Sequence, residues 1–480
     1  MALITKRKIL DGVFLLEIPE ADLRLLCGCP SDAIKHLSAK GLLPMTEKDG
    51  VKYESGPNAI LLSDVMIQNG DLCNLSEFPV LHMFYNQGMI LPGHPNNSST
   101  PILIGKKSFV DAQMDYIFVG NYGLVSEQEF REVGETPEFA AEYLTMKLKF
   151  AQGRFIPSDE LMTGLYLNDE TLEIKNGVFI KRNKLNHFTI SYKDQSVKVD
   201  LNLKRHHKYQ PSYTLPKVRL PNYYFAIIHS GEGDGWDHTR PCLSSIIMYN
   251  RKLFLMDAGP NILWTLKSFG IKPQQIEGVF FTHVHDDHFA GLHSLIHPKR
   301  KIKIFATSTV KSTIVTKLNA LFKGSGLDYN DCMLFHDLDR EVWNDYGGLE
   351  IQPIPSAHPI DTTIFIFRVK AGNGYKSYGH YSDIVALNWL KKMKAKADRP
   401  GITDEYYDKI KESFEIKVNV KKIDVGGPVV HGDAEDFVDD DSDRLVMGHT
   451  HAPFTSRQLE IGDEVAFGEI DVLIDSKPSG

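Results

Sequence analysis

Polar and apolar positions change their pattern along this chain near residue 215. Before that point, the apolar residues of 31–44 and 137–152 recur three and four apart, which predicts two helices. Residues 187–203 alternate between polar and apolar side chains, which predicts a β-hairpin. The chain shows no internal sequence repeat. We predict an N-terminal domain of mixed α/β type and unassigned fold over residues 1–215.

Short apolar runs separated by a short helical segment characterise the rest of the chain. The predicted strands are 222–230, the two halves of 244–259 with a turn at Asn250-Arg251, 276–283 and 302–308, and the predicted helix is 261–270. Such a mixture is typical of an α/β domain. The polar, proline-bearing segment 204–217 separates the two patterns of polar and apolar residues, so we predict a second domain over residues 216–480.

Composition and charge narrow the classes of function. The chain has 480 residues, of which 42% are hydrophobic, enough for two or three domains with substantial cores. Its formal net charge is −8, whereas a general nucleic-acid binder is usually basic because it must neutralise phosphates. The basic stretch 391–399 is interpreted as a solvated helix face. A nucleic-acid partner is therefore not expected.

The number and spacing of the cysteines and the hydropathy of the chain indicate the cellular compartment. The five cysteines are odd in number and lack the spacing of a secreted disulfide framework. The N-terminus has no long apolar core before a cleavage site, and no run of about 18 apolar residues occurs anywhere. We predict a reduced, cytoplasmic protein that does not enter a membrane.

Four side chains that can bind a metal fall within six positions, directly after the apolar run GVFF. They are His283, His285, Asp287 and His288. The carboxyl edge of a strand is where α/β folds place their sites, and a mixture of imidazole and carboxylate suits zinc, manganese or iron. A set of ordinary histidines that cap a helix is the alternative. Three histidines and one aspartate at this spacing favour a metal site with ligand pairs on two sides of a small cavity.

The segment THVHDDH at 282–288 resembles the THxHxDH signature of the metallo-β-lactamase superfamily. The resemblance covers roughly 218–480 and implies an αββα sandwich in the C-terminal half. It extends to motifs that would supply one supporting residue and the remaining ligands: Asp257 in MDAGPN, His358 in PSAHPID, Asp383 in YSDI, and His449 in LVMGHTHAP, with His451 as a rival. His380 is left unassigned.

The resemblance implies two divalent metal ions, zinc first, with iron or manganese as alternatives. One ion would take His283, His285 and His358, and the other Asp287, His288 and His449, with Asp383 between them. A water bridging two such ions becomes a nucleophile at neutral pH. We also expect apolar runs that end in His358 and His449 to converge with the first motif on one edge of the fold.

Two further stretches resemble the ribonuclease Z-like, phosphodiesterase branch of the superfamily. The glycine-rich stretch 229–245 resembles its entry loop, so the amides of Gly231 and Gly233, with Arg240, would contact a phosphate, unless the stretch is only a tight turn. His431 matches the histidine of a His-Glu-Ala-Thr motif that protonates the leaving oxygen. Here Gly432 replaces the glutamate. Asp433 or Glu435 would therefore have to orient the imidazole.

Together these features predict a metal-dependent phosphodiesterase, with Asp287 and His431 as catalytic residues. Its substrate would be a small phosphodiester such as a cyclic nucleotide, because no basic arm that could grip RNA is evident. A homo-oligomer is compatible with the sequence. The alternatives are a hydrolase of lactones, thioesters or β-lactams, and a diiron protein that binds or senses oxygen on the same fold.

Overall fold

The computed structural model describes residues 3–297, 299–323, 328–396, 400–427 and 429–477. The helices and strands of the N-terminal part are β1 (Thr5–Leu10), β2 (Val13–Ile18), β3 (Leu23–Cys27), α1 (Ala33–Ala39), β4 (Met45–Lys48), β5 (Val51–Glu54), β6 (Ala59–Leu61), β7 (Ile67–Gln68), β8 (Asp71–Leu72), α2 (Glu77–Leu81), β9 (Ile102–Gly105), α3 (Lys107–Tyr122), α4 (Glu127–Glu132), α5 (Pro137–Phe150), α6 (Ser158–Leu161), β10 (Thr163–Tyr166), β11 (Leu172–Lys175), β12 (Val178–Lys184), β13 (His187–Tyr192) and β14 (Gln195–Asp200).

The helices and strands of the C-terminal part are β15 (Phe225–Gly231), β16 (Ser244–Tyr249), β17 (Lys252–Met256), α7 (Ile262–Ser268), β18 (Ile276–Phe280), α8 (Asp286–Phe289), β19 (Ile302–Ala306), α9 (Ser308–Phe322), β20 (Met333–Asp337), β21 (Asn344–Tyr346), β22 (Leu349–Pro355), β23 (Thr363–Ala371), β24 (Gly374–Tyr381), α10 (Leu387–Lys392), α11 (Asp404–Phe414), β25 (Val420–Asp424), β26 (Arg444–Gly448), α12 (Ser456–Ile461) and β27 (Ile470–Ile474). Among the described residues, no helix is both long enough and apolar enough to cross a membrane.

The local patterns that predicted elements are confirmed in most places. The helices expected in 31–44 and 137–152 are α1 and α5, and the hairpin in 187–203 is β13–β14. Asn250 and Arg251 join β16 to β17 with φ angles of 46° and 66°, as a two-residue type I′ turn requires. Of the basic stretch 391–399, Lys391 and Lys392 are exposed at the end of α10, and residues 397–399 lie outside the described residues.

Two compact units are assembled from interleaved parts of the chain. The first unit takes the described parts of Met1–Gly120, Ile156–Ser212 and Lys317–Leu327, and the second takes those of Asn121–Phe155 and of the remaining residues. The second unit thus includes α4 and α5, which precede the predicted boundary at 215/216 by more than sixty positions. That boundary stays a prediction about independently folding domains.

Two sheets packed face to face form the centre of the second unit. Their strand orders are β20-β19-β18-β17-β16-β15-β27 and β21-β22-β23-β24-β25-β26. Side chains from both sheets share one buried cluster, for example Phe254 and Phe280 with Phe365 and Phe367. Helices α5 and α11 pack against the outer face of the second sheet, because their apolar side chains join those of β23–β26 in another cluster. The order of layers is that of a sandwich with helices outside the sheets.

The first unit repeats this topology, although its sequence shows no repeat. In β1-β2-β3-β6-β9-β10 the first two pairings are antiparallel and the next three parallel, as in β15-β16-β17-β18-β19-β20. Each is followed by an antiparallel meander, β11–β14 in the first unit and β21–β24 in the second. The likeness between the two units therefore lies in strand order and direction.

Candidate metal centre

The strands of the second unit deliver ligand-type side chains to one edge of the sandwich. In the first sheet β17 and β18 are parallel and end just before Asp257 and the His283 segment. In the second sheet β24, β25 and β26 are parallel, and β22 runs the same way because β23 is antiparallel to both of its neighbours. The carboxyl ends of these strands precede His358, Asp383 and His449. The expected convergence of the apolar runs is therefore confirmed.

Asp383 stands between two groups of imidazoles and presents one carboxylate oxygen to each. Its Oδ2 lies 3.6 Å from His283 Nε2 and 3.5 Å from His358 Nε2. Its Oδ1 lies 3.1 Å from His288 Nε2 and 3.4 Å from His449 Nε2. This is the arrangement that a carboxylate bridging two cations needs.

Each group is completed by one more residue of the first motif. His285 Nδ1 lies 3.0 Å from His283 Nε2 and 3.4 Å from His358 Nε2. On the other side, Asp287 Oδ2 lies 3.2 Å from His449 Nε2 and 3.4 Å from His288 Nε2. The structure therefore brings all seven predicted ligands together in the two predicted sets.

The local backbone explains why these residue types occupy these places. Helix α8 begins at Asp286 and spans one turn, so Asp287 and His288 project from it directly after His285. Asp383 and His449 have φ angles of 39° and 61°. Left-handed backbone is costly for most side chains, and Asp and His are among those that tolerate it best.

Asp257 fixes His288 from behind. Its Oδ2 lies 2.9 Å from His288 Nδ1 and accepts a hydrogen bond of 2.7 Å from the Thr282 hydroxyl, and its Oδ1 accepts one of 2.8 Å from the Thr282 amide. Such a carboxylate sets which imidazole nitrogen remains for a metal. The supporting position predicted for Asp257 is the one it occupies.

Gly291 explains the Phe-Ala-Gly-Leu that follows the ligands. Its amide donates to Ala258 O (2.8 Å), and the Ala258 amide donates to His288 O (2.7 Å). A Cβ at position 291 would lie 2.1 Å from Gly259 O, so no larger residue fits. These close backbone contacts hold the ligand-bearing turn against the strand end that carries Asp257.

The donor set fits a pair of divalent cations. Among the described residues, the clusters of ligand atoms within 4.8 Å of one another are His283–His285–His358–Asp383, His283–Asp287–His288 and Asp383–Asp424–His431–His449. Asp287 Oδ1 and His358 Nδ1 are buried without a hydrogen-bond partner in the described part of the chain. Imidazole nitrogens that face one another this closely need a proton or a cation between them. Nitrogen and carboxylate ligands suit zinc, manganese or iron alike.

The two ligand sets differ in protonation before a metal binds. Burial lowers the pKa of His283 well below its usual value and that of His358 to about 4, so both are neutral at pH 7. Burial also disfavours the charged forms of His288 and His449, but the carboxylates of Asp287, Asp383 and Asp424 outweigh it and raise the pKa of both imidazoles well above the usual value.

We expect metal uptake at the second set to release protons and uptake at the first set to release few. Because protons compete with the metal for His288 and His449, the affinity of that set should rise with pH, while the His283–His358 set should respond less around neutral pH. Calorimetric zinc titrations in buffers of different ionisation enthalpy measure this proton release. Two binding steps with equal proton release would contradict the expectation.

His431 lies beside the metal ligands and is held by Asp424. Its Nδ1 is 3.1 Å from Asp424 Oδ2 and 3.7 Å from Asp383 Oδ2. Burial lowers the pKa of His431, but the Asp424 carboxylate outweighs it and raises the pKa above the usual value. Asp433 does not do this, since its side chain accepts from the Glu435 amide, and Glu435 pairs with Arg457. The orienting role predicted for Asp433 or Glu435 is therefore filled by Asp424.

The sequence patterns did not single out Asp424, although it ends a buried strand at the edge of the sheet where the ligands lie. It is the last residue of β25, a strand buried throughout, and so lies at the same sheet edge. Besides facing His431, Asp424 accepts hydrogen bonds from the amides of Gly426 (2.9 Å), Ile384 (3.2 Å) and Gly432 (3.2 Å). A buried strand that ends in a carboxylate was the available signal.

The last ligand motif presents His449 to the cluster and turns His451 away. His451 is 62% exposed in its side chain, and its Nδ1 lies 2.7 Å from Asp234 Oδ2. The His449 amide donates to Glu232 O (2.8 Å), and the Glu232 carboxylate is held by the buried ammonium of Lys422 (2.9 Å). The glycine-rich stretch thus anchors the backbone that carries His449.

The residues predicted to contact a phosphate have structural partners. Arg240 donates to Asp237 Oδ2 and to Thr450 O, each at 2.7 Å. The Gly233 amide donates to Pro241 O (2.9 Å), and a Cβ at Gly231 would lie 1.9 Å from Cys242 O. These contacts fit the tight-turn alternative, and a phosphate role for the three residues stays a prediction.

His380, which the sequence left unassigned, belongs to a buried network outside the ligand sets. Its Nδ1 lies 2.7 Å from the Tyr378 hydroxyl, which lies 2.9 Å from the Ser245 hydroxyl. Burial lowers the pKa of His380 well below its usual value, so it remains neutral.

The first unit has no such cluster at the corresponding strand end, within the residues the structure describes. Strand β6 corresponds to β18 and is followed by Ser63 and Asp64. Asp64 Oδ2 accepts from Arg182 Nε (2.9 Å) and from the Asn186 amide (2.8 Å). A hydrogen-bonded structural network therefore stands where the second unit has its histidines.

Parts of the chain are similar to known proteins. A family described as Anti-Pycsar protein Apyc1 matches residues 225–379. Ribonuclease Z of Nanoarchaeum equitans is 26% identical over 137 residues, which span 27% of this chain and 42% of that protein. Ribonuclease Z of Pyrococcus horikoshii is 24% identical over 198 residues, which span 39% of this chain and 58% of that protein. The chain spans about half the length of these curated relatives.

Solved structures resemble the chain more distantly. A diphosphatase from the PhnP family covers 51% of this chain and 96% of its own, at 17% identity and a TM-score of 0.38. A long form ribonuclease Z from yeast covers 98% of this chain and 71% of its own, at 8% identity and a TM-score of 0.36.

The two facing sheets, the helices outside them and the histidine–aspartate cluster at the strand ends define a metallo-β-lactamase-fold protein. The αββα sandwich predicted for the C-terminal half is confirmed. Within that superfamily the chain is related to the ribonuclease Z-like proteins, as its sequence matches to ribonuclease Z show.

Proposed function

We propose that the protein is a metal-dependent hydrolase that cleaves a small phosphodiester, such as a cyclic nucleotide. The observation that carries this proposal is the His431–Asp424 pair. It lies against the candidate metal centre, with His431 Nδ1 3.7 Å from Asp383, but outside the two ligand sets that Asp383 divides. Hydrolysis of a lactone or thioester needs the same ligand sets but no such proton donor.

The chain's own residues have separate tasks in this reaction. Two bound cations would neutralise the phosphoryl charge and supply a nucleophilic water at neutral pH. Because Nδ1 of His431 faces Asp424, Nε2 is the nitrogen from which a proton can pass to the departing alkoxide. Asp424 keeps the imidazole in that orientation and is itself held in place by hydrogen bonds from three backbone amides. Asp257 orients the His288 imidazole in the same way, through its contact with Nδ1.

The charge around His431 supports a small substrate over a long polyanion. Residues 425–437 contain Asp433, Glu435 and Asp436 and no lysine or arginine. Val429 and Val430 in the same segment are 45% and 37% exposed. A nucleic-acid backbone is bound mainly through lysine and arginine contacts to phosphates. A segment with exposed apolar side chains and no basic residue of its own favours a compact ligand over a nucleic acid.

The test is a comparison of substrate classes at matched metal loading. The protein, supplied with zinc, manganese or iron, is assayed on bis-p-nitrophenyl phosphate, 3′,5′-cyclic nucleotides, a short structured RNA, a thioester and a lactone. We expect turnover of the first two and little of the others. Turnover confined to thioesters or lactones would overturn the phosphodiesterase proposal, and turnover confined to RNA would overturn the small substrate. Absence of phosphodiester hydrolysis with every metal, together with oxygen-sensitive visible absorption, would favour the diiron alternative.

A further inference from the structure

Helix α5 contributes side chains to the loop that carries His358. The helix starts at Pro137, where the Thr136 hydroxyl accepts a hydrogen bond from the Phe139 amide. Its buried face includes Tyr143 and Lys147, both almost fully enclosed within the second unit. Apolar packing accounts for the tyrosine ring, but it does not account for a buried ammonium and a buried hydroxyl aimed at one loop.

Tyr143 spans the two ends of that loop, residues 356–362. Its hydroxyl donates to Ser356 O (2.9 Å) and accepts from the Thr362 amide (3.2 Å). The Ser356 amide donates to Thr362 O (3.0 Å), which closes the loop between β22 and β23. The hydroxyl therefore fixes both strand ends between which His358 is presented.

Lys147 holds the same loop at Asp361. Its ammonium lies 3.1 Å from Asp361 Oδ2 and also donates to Leu124 O. The same carboxylate oxygen accepts from the Leu124 amide at 2.7 Å. Burial raises the pKa of Asp361 and lowers that of Lys147, while each group favours the charged form of the other. Removing one partner would leave the other charge buried and unpaired.

The loop is also tied to the other ligand-bearing segments. The Ser356 hydroxyl donates to Asp383 O (2.9 Å), and the Thr363 amide donates to Thr282 O (2.9 Å), next to His283. A displaced loop would therefore also shift Asp383 and His283, which belong to the same ligand set as His358. On the opposite side, His288 is held by Asp257 and the His449 backbone by Glu232, neither of which involves α5.

We propose that Tyr143 and Lys147 are positioning residues for the His283–His285–His358 metal set, so that the segment 121–155 is part of the metal centre. This inference rests on the proposed metal centre and adds a dependence on residues more than two hundred positions before the bridging aspartate. The segment affects the affinity of the metal position that includes His358 more strongly than that of the other position.

The test compares Tyr143→Phe with Tyr406→Phe in the full-length protein. Both changes remove one buried hydroxyl from the same core, and the Tyr406 hydroxyl faces Met146 Sδ (3.3 Å) rather than the ligand loop. Zinc affinities are measured by chelator competition, and His358→Ala identifies the binding step that belongs to its set. Thermal unfolding of the metal-free proteins confirms that each variant is folded.

We expect Tyr143→Phe to weaken the step that His358→Ala abolishes by about 10–100-fold, the usual effect of a residue that orients ligands. The other step should weaken much less, and both steps of Tyr406→Phe should match the wild type. Equal weakening of both steps, equal effects of the two variants, or no effect of Tyr143→Phe would overturn the proposal. A wild type that binds two zinc ions but hydrolyses no phosphodiester would overturn only the proposed function. A wild type that does not bind two would overturn both.

Discussion

Changing Asp383 to asparagine should empty both metal positions. Its two oxygens face the two ligand sets separately, so each set loses one charged ligand. Asparagine tolerates the left-handed backbone at this position, with φ of 39°, better than alanine, so the loss of charge is separated from strain. We expect metal content to fall from near two equivalents to below one. Phosphodiester hydrolysis should fall by about 10³-fold or more, since several kcal/mol of charge stabilisation are lost.

Metal analysis after dialysis without chelator measures the content, and Asp436→Asn is the matched control. Asp436 is another partly buried carboxylate of the second unit, and it accepts from the Leu387 amide (2.8 Å) outside the cluster. The control should retain both metals. If the Asp383→Asn variant retained both metals, Asp383 would not be a bridging ligand. Loss of a single equivalent would make Asp383 a ligand of one set only.

Changing His431 to alanine should slow the reaction without removing metal. A phosphodiester with an alkoxide leaving group needs a proton as the bond breaks, so its hydrolysis should slow by about 10²–10⁴-fold. A p-nitrophenolate ester leaves without that help and should be affected much less. Rates on both substrates, measured beside metal content, separate proton donation from phosphate positioning, which would slow both equally.

Variants at two neighbouring positions help to assign the role of His431. Asp424→Asn removes the carboxylate that faces His431 Nδ1 at 3.1 Å and should reproduce part of the leaving-group dependence. Asp433→Ala changes a nearby acid that only accepts from the Glu435 amide and should have little effect. If His431→Ala instead loses a metal ion, His431 is a ligand. The cluster of Asp383, Asp424, His431 and His449 would then form part of the metal site.

The sequence predicted the parts of the site that lie close together in the chain or end a strand. His283 to His288 form one turn after β18, and His358, Asp383 and His449 each follow a buried strand. The parts it missed depend on contacts between distant segments. The pairing of Asp424 with His431 requires His431 to lie back against the end of the strand that precedes it, which the spacing alone does not reveal.

The fold of the N-terminal half shows the same limit. Strand order and direction repeat between the two units, while the side chains at the strand ends differ: Ser63 and Asp64 in one, the histidine motif in the other. Backbone pairing can be satisfied by many apolar side chains, so topology persists where sequence similarity is lost. The membership of α5 in the second unit was likewise hidden, because a helical pattern reports a buried face but not what covers it.

Because the units are interleaved along the chain, α5 is synthesised well before most of the residues it packs against. Helix α5 leaves the ribosome before any strand of the sheet it covers, and its packing partners continue as far as Met447. At typical elongation rates of about 5–20 residues per second, the last of those partners, roughly 300 residues downstream, emerges on the order of 15–60 s later. Phe130 of α4 is available to α5 from the start, but the rest of its apolar face lacks its native packing surface until the strands of the second sheet emerge. We therefore expect the nascent chain to expose part of this hydrophobic face until synthesis of the second sheet is complete.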